Sequence, residues 1–434
     1  MDNKKTKYGI LAATMFGVSS MIGSGIFLLP ARLYVNLGPA SILTVFIDII
    51  IVLLFAFCFA EAAGYVDNKN GGAYQYSKLA FGELVSYSVG FLGWVSCVIG
   101  WSAMAMGFSE LFLALFPNLI KITSIKSIIA VILIITLSII NNFGNRISKY
   151  IGSTIYIAKL IPLITFSITT IFFIKYGIVE GNFTPFVQLP ENTNIIEGLT
   201  TNALILFYGF IGFETLPIIA NEVYDSQKNL PKAVILSTLI VSGVYFLIIL
   251  GTIAMLGTST ARANPVQEAF SMMIGPIGGL IVSIGAIISV GGLNNISAVS
   301  IPRMAQTLAD DKLLPKQMSL VNKWDSPYFS AIITAVIACS LVITGSFEKL
   351  VGLTVLMFFV QYIPTAFAVI KFKTNPTFKK LQDGFNLPFG ITIPILAIIF
   401  SFLILASSAI KDIIFLICAI ILSIILYFIT NKNK

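Results

Sequence analysis

Met21-Ile22-Gly23-Ser24-Gly25-Ile26-Phe27 stands in the middle of the first long apolar run of the chain, and its reading decides the fold. The run from Tyr8 to Val35 carries a single charge, Arg32. At ~1.5 Å of rise per helical residue, a run of this length crosses a hydrocarbon core of ~30 Å with some tilt. The Gly-Ser-Gly triplet then falls near mid-membrane, where two glycines around a serine favour an opened backbone. Opened backbone at that depth is tolerated only where it lines a protected cavity. Glycine in a membrane helix also serves close packing, so this segment by itself allows either a packing notch or a break.

The 434 residues are 57% hydrophobic and 11% charged, which marks an integral membrane protein rather than a soluble domain. The charged start from Met1 to Lys7 leads into a run too long for a secretory signal, so no cleaved leader is expected. Histidine is absent, which removes the commonest general base and metal ligand. Cys58, Cys97, Cys339 and Cys418 are scattered singly in apolar runs, without redox or metal-ligand spacing. No phosphate loop of the G-x-x-x-x-G-K type occurs. An enzyme is therefore not expected, nor a cofactor or metal. The net charge of +8 reads as a topological bias and not as a nucleic-acid surface.

Apolar runs of spanning length fall near 9–34, 39–66, 84–116, 124–143, 150–176 and 196–220, then 231–257, 270–302, 328–346, 349–370, 389–409 and 412–430. The expected fold class is all-α integral membrane, with about twelve transmembrane helices. With the N-terminus placed inside, nineteen of the 27 lysines and arginines fall on the inner side, seven on the outer side, and Lys159 within the membrane. That asymmetry predicts a multi-pass protein with both termini in the cytoplasm.

The sixth run repeats the peculiarity of the first. In Phe207-Tyr208-Gly209-Phe210-Ile211-Gly212-Phe213-Glu214 two glycines again sit mid-segment, followed by a carboxylate. Interruptions in helices one and six, five helices apart, point to the inverted repeats of secondary transporters. A break at Gly23 would leave the N–H groups of Ser24, Gly25 and Ile26 at the positive end of a half-helix, where a carboxylate belongs. Carbonyls freed at Met21 and Ile22, and around Tyr208 and Ile211, would suit an ammonium group. The two together describe an α-amino acid.

Ile22-Gly23-Ser24-Gly25-Ile26-Phe27 resembles the first-helix motif of the amino acid–polyamine–organocation transporters, and Gly209-Phe210-Ile211-Gly212-Phe213-Glu214 resembles their sixth-helix motif. Further likenesses are Glu61, the stretch Gly71-Gly72-Ala73-Tyr74-Gln75-Tyr76 with Phe81-Gly82, and Arg303 with Ala309-Asp310-Asp311-Lys312-Leu313-Leu314-Pro315. Among branches, Gly23 to Pro30 looks most like the bacterial arginine/agmatine, lysine/cadaverine and putrescine/ornithine exchangers. The resemblance implies two inverted five-helix repeats with helices one and six broken, plus two accessory helices. It divides the chain into a transport core over 1–371 and accessory helices over 372–434. It also implies alternating access in a bacterial cytoplasmic membrane.

By the same resemblance the substrate site gathers Met21, Ile22, Gly23, Ser24, Gly25 and Ile26 from helix one. Ser96, Cys97 and Trp101 would come from helix three, Tyr208 and Ile211 from helix six, and Ser297 from helix eight. Tyr208 stands where related exchangers close an aromatic ring over the substrate. Trp101 either shrinks the pocket toward apolar side chains or offers a cation–π face. Lys159, within apolar helix five, either snorkels to the inner surface or serves coupling, in the place where sodium-dependent relatives bind sodium. Glu214 is either a structural partner of polar groups or a recognition residue, as in the polyamine-exchanging branch. Glu110 and Asp48 also fall within apolar runs. The expected function is secondary amino acid transport, by exchange or with protons, with polyamine or basic amino acid antiport as the alternative. A channel or a transport-fold nutrient sensor is the reading from another class, although no continuous polar pore ring is evident. The expected partners are an amino acid or diamine and the lipid bilayer, with no nucleic acid. Proton coupling and a homodimer are left open.

Overall fold

In the computed structural model the chain is described over residues 7–431 apart from 67–71, 117, 120–121, 123, 144–145, 219–222, 263 and 382–384. Along 146–159, and at 218, 227, 430 and 431, the helical backbone alone is described. The elements are helices. The first crossing is split into α1 (Ile10–Met21) and α2 (Gly25–Leu37), and Gly38-Pro39 ends α2 in a tight turn before α3 (Ile42–Ala63). A short helix α4 (Ala73–Phe81) precedes α5 (Glu83–Leu115), α6 (Ile125–Asn142) and α7 (Arg146–Val179). The sixth crossing is split into α8 (Ile195–Phe207) and α9, described over Thr215–Ile218. Then come α10 (Ser226–Leu256), α11 (Pro265–Ile274), α12 (Pro276–Asp310), α13 (Tyr328–Thr344), α14 (Phe347–Thr374), α15 (Thr392–Ala406) and α16 (Ile410–Asn431).

Among the described residues nine helical stretches are long and apolar enough to cross a membrane, and three shorter apolar helices, α1, α13 and α15, join them. Taking α1 with α2 and α8 with α9, the chain makes twelve crossings. Residue 7 and the end of α16 therefore lie on one face, called here the N-terminal face. The ring contact between Tyr427 of α16 and Tyr87, near the start of α5, agrees with that placement.

The packing repeats itself with a shift of five crossings. Helix α3 packs on α10, α5 on α12 and α6 on α13, each helix against its own counterpart. The contact of α5 with α14 has its twin in that of α12 with α7, and α3 with α14 is matched by α10 with α7. Even the small helices correspond, because α4 packs on α5 and α14 as α11 packs on α12 and α7. Both are joined to the next helix by one glycine of left-handed φ, Gly82 at +84° and Gly275 at +85°. An odd number of crossings per repeat inverts the second copy, so α4 lies at the N-terminal face and α11 at the opposite one. The expected continuous run 270–302 is thereby corrected to two helices. Apolar composition runs unbroken through Gly275-Pro276, so hydropathy alone does not register the turn there.

Several likenesses noted in the sequence meet in space at the N-terminal face. The Tyr74 hydroxyl donates to Asp311 Oδ2 at 3.3 Å, joining α4 to the end of α12. Burial first, and the Asp311 charge second, push the Tyr74 phenol up to about 12, so it remains a donor at neutral pH. Glu61, closing α3, is buried and receives Lys373 at 3.2 Å, Lys380 at 2.8 Å and the Leu387 N–H at 2.7 Å. Gly71 lies outside the described residues.

Candidate substrate site

Helix α1 stops because Ile22 turns to an extended conformation, with φ −75° and ψ 106°. Gly23 and Ser24 are unwound, and the chain re-enters a helix at Gly25. Ser24 gives no side-chain cap to α2. Among the described residues, the N–H groups of Gly23, Ser24, Gly25 and Ile26 have no backbone acceptor, and the first backbone bond of α2 runs from the Phe27 N–H to Ser24 O at 3.3 Å. Four adjacent donors are thus left at the positive end of a half-helix.

Opposite this break, α8 tightens into a single 3₁₀ turn over Tyr208–Phe210 and then unwinds. The Gly212 N–H donates to Glu214 Oε2 at 2.9 Å, and Thr215 Oγ1 donates to Gly212 O at 2.6 Å. Gly212 has φ +124°, and a Cβ there would collide with Ser20 O at the end of α1. No other residue type satisfies both conditions without displacing a helix end. The two breaks therefore touch backbone to backbone. Tyr245 of α10 ties them together, donating to Gly209 O at 2.7 Å and reaching Met21 O at 3.4 Å. On the side toward the opposite face, the Ser24 and Tyr208 hydroxyls lie 3.3 Å apart, and Phe347 packs edge-on to the Tyr208 ring. Gly107 of α5 lies so close that a Cβ on it would fall 2.9 Å from Ser24 Cβ.

A cavity of about 390 Å³ lies against these breaks. Phe16, Ser19, Ser20 and Met21 of α1 line it, with Gly23, Gly25, Tyr208, Gly209, Ile211, Gly212 and Thr215 around the two breaks. Helix α5 contributes Cys97, Gly100, Trp101 and Met104, α12 contributes Leu293, Ile296, Ser297, Ser300 and Ile301, and α14 contributes Thr354 and Phe358. Most of this lining belongs to the helix halves between the breaks and the N-terminal face.

Of the residues singled out in the sequence, Met21, Gly23, Gly25, Cys97, Trp101, Tyr208, Ile211 and Ser297 border this cavity. Ile22, Ser24 and Ile26 belong to the break itself but not to the lining. Ser96 does not join them: it is fully buried and donates to Leu92 O at 2.6 Å within α5. Glu214 is also absent from the lining; besides Gly212, the Tyr362 hydroxyl donates to its Oε2 at 3.1 Å. For Lys159 the position in α7 is described, but its side chain lies outside the described residues. Glu110 pairs with Lys126 at 2.9 Å and Arg32 at 3.7 Å, and Arg32 pairs with Glu348 at 2.8 Å, all near the opposite face. Asp48 is fully buried in α3, and neither of its carboxylate oxygens has a hydrogen-bond partner among the described residues. Tyr245, Gly100, Thr354 and Phe358 went unread in the sequence. Single tyrosines, threonines or glycines in apolar helices have no spacing signature, and only the inward-facing side of α5, α10 and α14 distinguishes them.

Residues 8–430 match the sequence profile of a family described as amino acid permease. An uncharacterized transporter of Mycobacterium tuberculosis is 30% identical over 418 residues, covering 91% of this chain and 86% of that protein. The serine/threonine exchanger SteT of Bacillus subtilis is 27% identical over 420 residues, covering 94% of this chain and 92% of its own. The branched-chain amino acid permease BcaP of the same organism is 24% identical over 456 residues, covering 99% and 94%.

Proposed function

The chain belongs to the amino acid permease family, and from that membership we propose that it carries amino acids across a bacterial cytoplasmic membrane by alternating access. The observation that carries this reading is the pair of helix breaks facing one cavity, with the N–H groups of Gly23, Ser24, Gly25 and Ile26 having no backbone acceptor among the described residues. In this reading those donors take the substrate carboxylate, and the backbone carbonyls around the breaks take its ammonium. Charge-assisted hydrogen bonds to a carboxylate contribute ~1.5–3 kcal/mol each in net terms, so a few of them suffice for a micromolar site.

The excess of lysine and arginine on the N-terminal face supports placing both termini in the cytoplasm. The cavity then belongs to the inward side of the cycle, since its lining lies between the breaks and that face. Closure of the outward side is supported by the contact of Ser24 with Tyr208 and by the ion pairs of Arg32 with Glu348 and Glu110. Outward opening requires α2 to part from α5 and α14, breaking those pairs. Transport proceeds by exchange or with protons, and Lys159 is the residue assigned to coupling, because a charged residue within an apolar helix needs a role.

Purified protein in proteoliposomes tests this. Labelled amino acid is expected to accumulate either against an internal amino acid or with an imposed pH gradient, and the arm that works assigns the mode. Uptake of putrescine driven by an internal diamine or basic amino acid, with no uptake of other amino acids, would support polyamine or basic amino acid antiport instead. Lys159→Ala is expected to remove net uptake while exchange survives. Equal net uptake by variant and parent takes the coupling role away from Lys159.

A further inference from the structure

The part of the cavity that faces away from the two breaks decides which amino acids fit, and this step rests on the amino acid reading of the site. We propose that the site selects amino acids with uncharged, mainly apolar side chains and excludes cationic and anionic ones. Among the described residues that line the cavity, none is Asp, Glu, Lys or Arg. The nearest carboxylate along the chain, Glu214, has its Oε2 occupied by the Gly212 N–H and the Tyr362 hydroxyl.

Three of the hydroxyls of the lining are spent on their own segments. Ser20 donates to Phe16 O, Thr215 to Gly212 O, and Thr354 to Leu350 O at 2.6 Å. A back-bonded threonine turns its methyl group, not its proton, toward neighbours, and Thr354 Cγ2 lies against Gly100, only 3.3 Å from where a Cβ there would stand. What remains on the wall is the bulk of Trp101, Met104, Leu293, Ile296 and Phe358, together with the hydroxyls of Ser297 and Ser300. Among the described residues the Trp101 indole N–H has no hydrogen-bond partner. A charged side chain, cationic or anionic, that enters here loses its hydration and among the described lining residues meets no counter-charge. The ring faces of Trp101 and Tyr208 return only part of that loss through a cation–π contact. A leucine, valine or threonine side chain buries apolar surface at no such cost, and the Ser297 and Ser300 hydroxyls with the Trp101 N–H accommodate one hydroxyl.

Competition for counterflow in proteoliposomes tests the selection. L-leucine, L-valine, L-threonine and L-serine are compared with L-lysine, L-arginine, L-glutamate and putrescine, each against the best-transported labelled amino acid. At least one uncharged amino acid is expected to compete ~10-fold or more better than every charged compound, the factor that corresponds to ~1.4 kcal/mol. Lysine, arginine or glutamate competing as well as the uncharged set would overturn the selection while leaving the amino acid site intact. Failure of all amino acids, charged and uncharged alike, from folded protein would instead overturn the amino acid reading itself. Ser297→Asp supplies the missing counter-charge and is expected to admit L-lysine at the expense of L-leucine. An unchanged order of preference in that variant removes Ser297 from the selecting wall.

Discussion

Gly212 and Tyr245 illustrate how much of the site rests on single residues. Gly212 exists where it does because the backbone needs a left-handed φ and because Ser20 O occupies the place of a side chain. Tyr245 reaches one carbonyl of each break, Met21 O and Gly209 O, from a third helix, so these two acceptors at mid-membrane are not left unsatisfied. Tyr245→Phe leaves Gly209 O without its 2.7 Å partner, and an unsatisfied buried acceptor costs ~1–3 kcal/mol. Thermal unfolding in detergent is expected to show a lower Tm for that variant; an unchanged Tm would mean that another donor replaces the hydroxyl. The glycines of both breaks were legible because two interruptions five helices apart form a pattern. Tyr245 was not, since one tyrosine among the apolar residues of α10 reads as packing. Ser96 shows the converse: one residue before Cys97 it points into its own helix, a 100° rotation that sequence likeness does not resolve.

At the scale of elements, the half-helix α2 is the part expected to move. Its inner end forms the break, and near its outer end Arg32 bridges Glu110 on α5 and Glu348 in the first turn of α14. Lys126, in the first turn of α6, extends the cluster through Glu110. Partly exposed pairs of this kind contribute ~0.2–1 kcal/mol each, which matters little for folding but is enough to bias two conformations of similar energy. Arg32→Ala removes two pairs and is expected to shift the balance toward outward opening by ~2- to 30-fold. The readout is labelling of Cys97 by an impermeant thiol reagent applied from the side opposite the termini, with Cys58, Cys339 and Cys418 replaced by serine. Faster labelling supports the latch, and an unchanged rate rules it out. Glu110 was visible in the sequence as a charge in an apolar run, but its two partners come from distant helices and could not be named from spacing.

For the molecule as a whole, the repeated architecture was readable from hydropathy, charge bias and the paired glycine interruptions, down to the approximate bounds of most crossings. What escaped was the sharp turn at Gly275, where apolar composition continues through a change of direction. The chemistry of the substrate backbone follows from the symmetry, since two opposed breaks supply free donors and carbonyls whatever the side chain. The wall around Trp101 follows from tertiary packing of α5, α12 and α14, and the proposal of uncharged substrates rests on it. The central claim is that the unwound segment of the first crossing holds a carboxylate. Equilibrium binding of three matched ligands to the purified transporter tests it most directly: L-leucine, L-leucine methyl ester and 3-methylbutylamine, which share a side chain and an amine but not a carboxylate. The account predicts that L-leucine binds at least ~10-fold more tightly than either of the others, the loss of one charge-assisted contact being ~1.5–3 kcal/mol. Equal binding of the amine and the amino acid would contradict it.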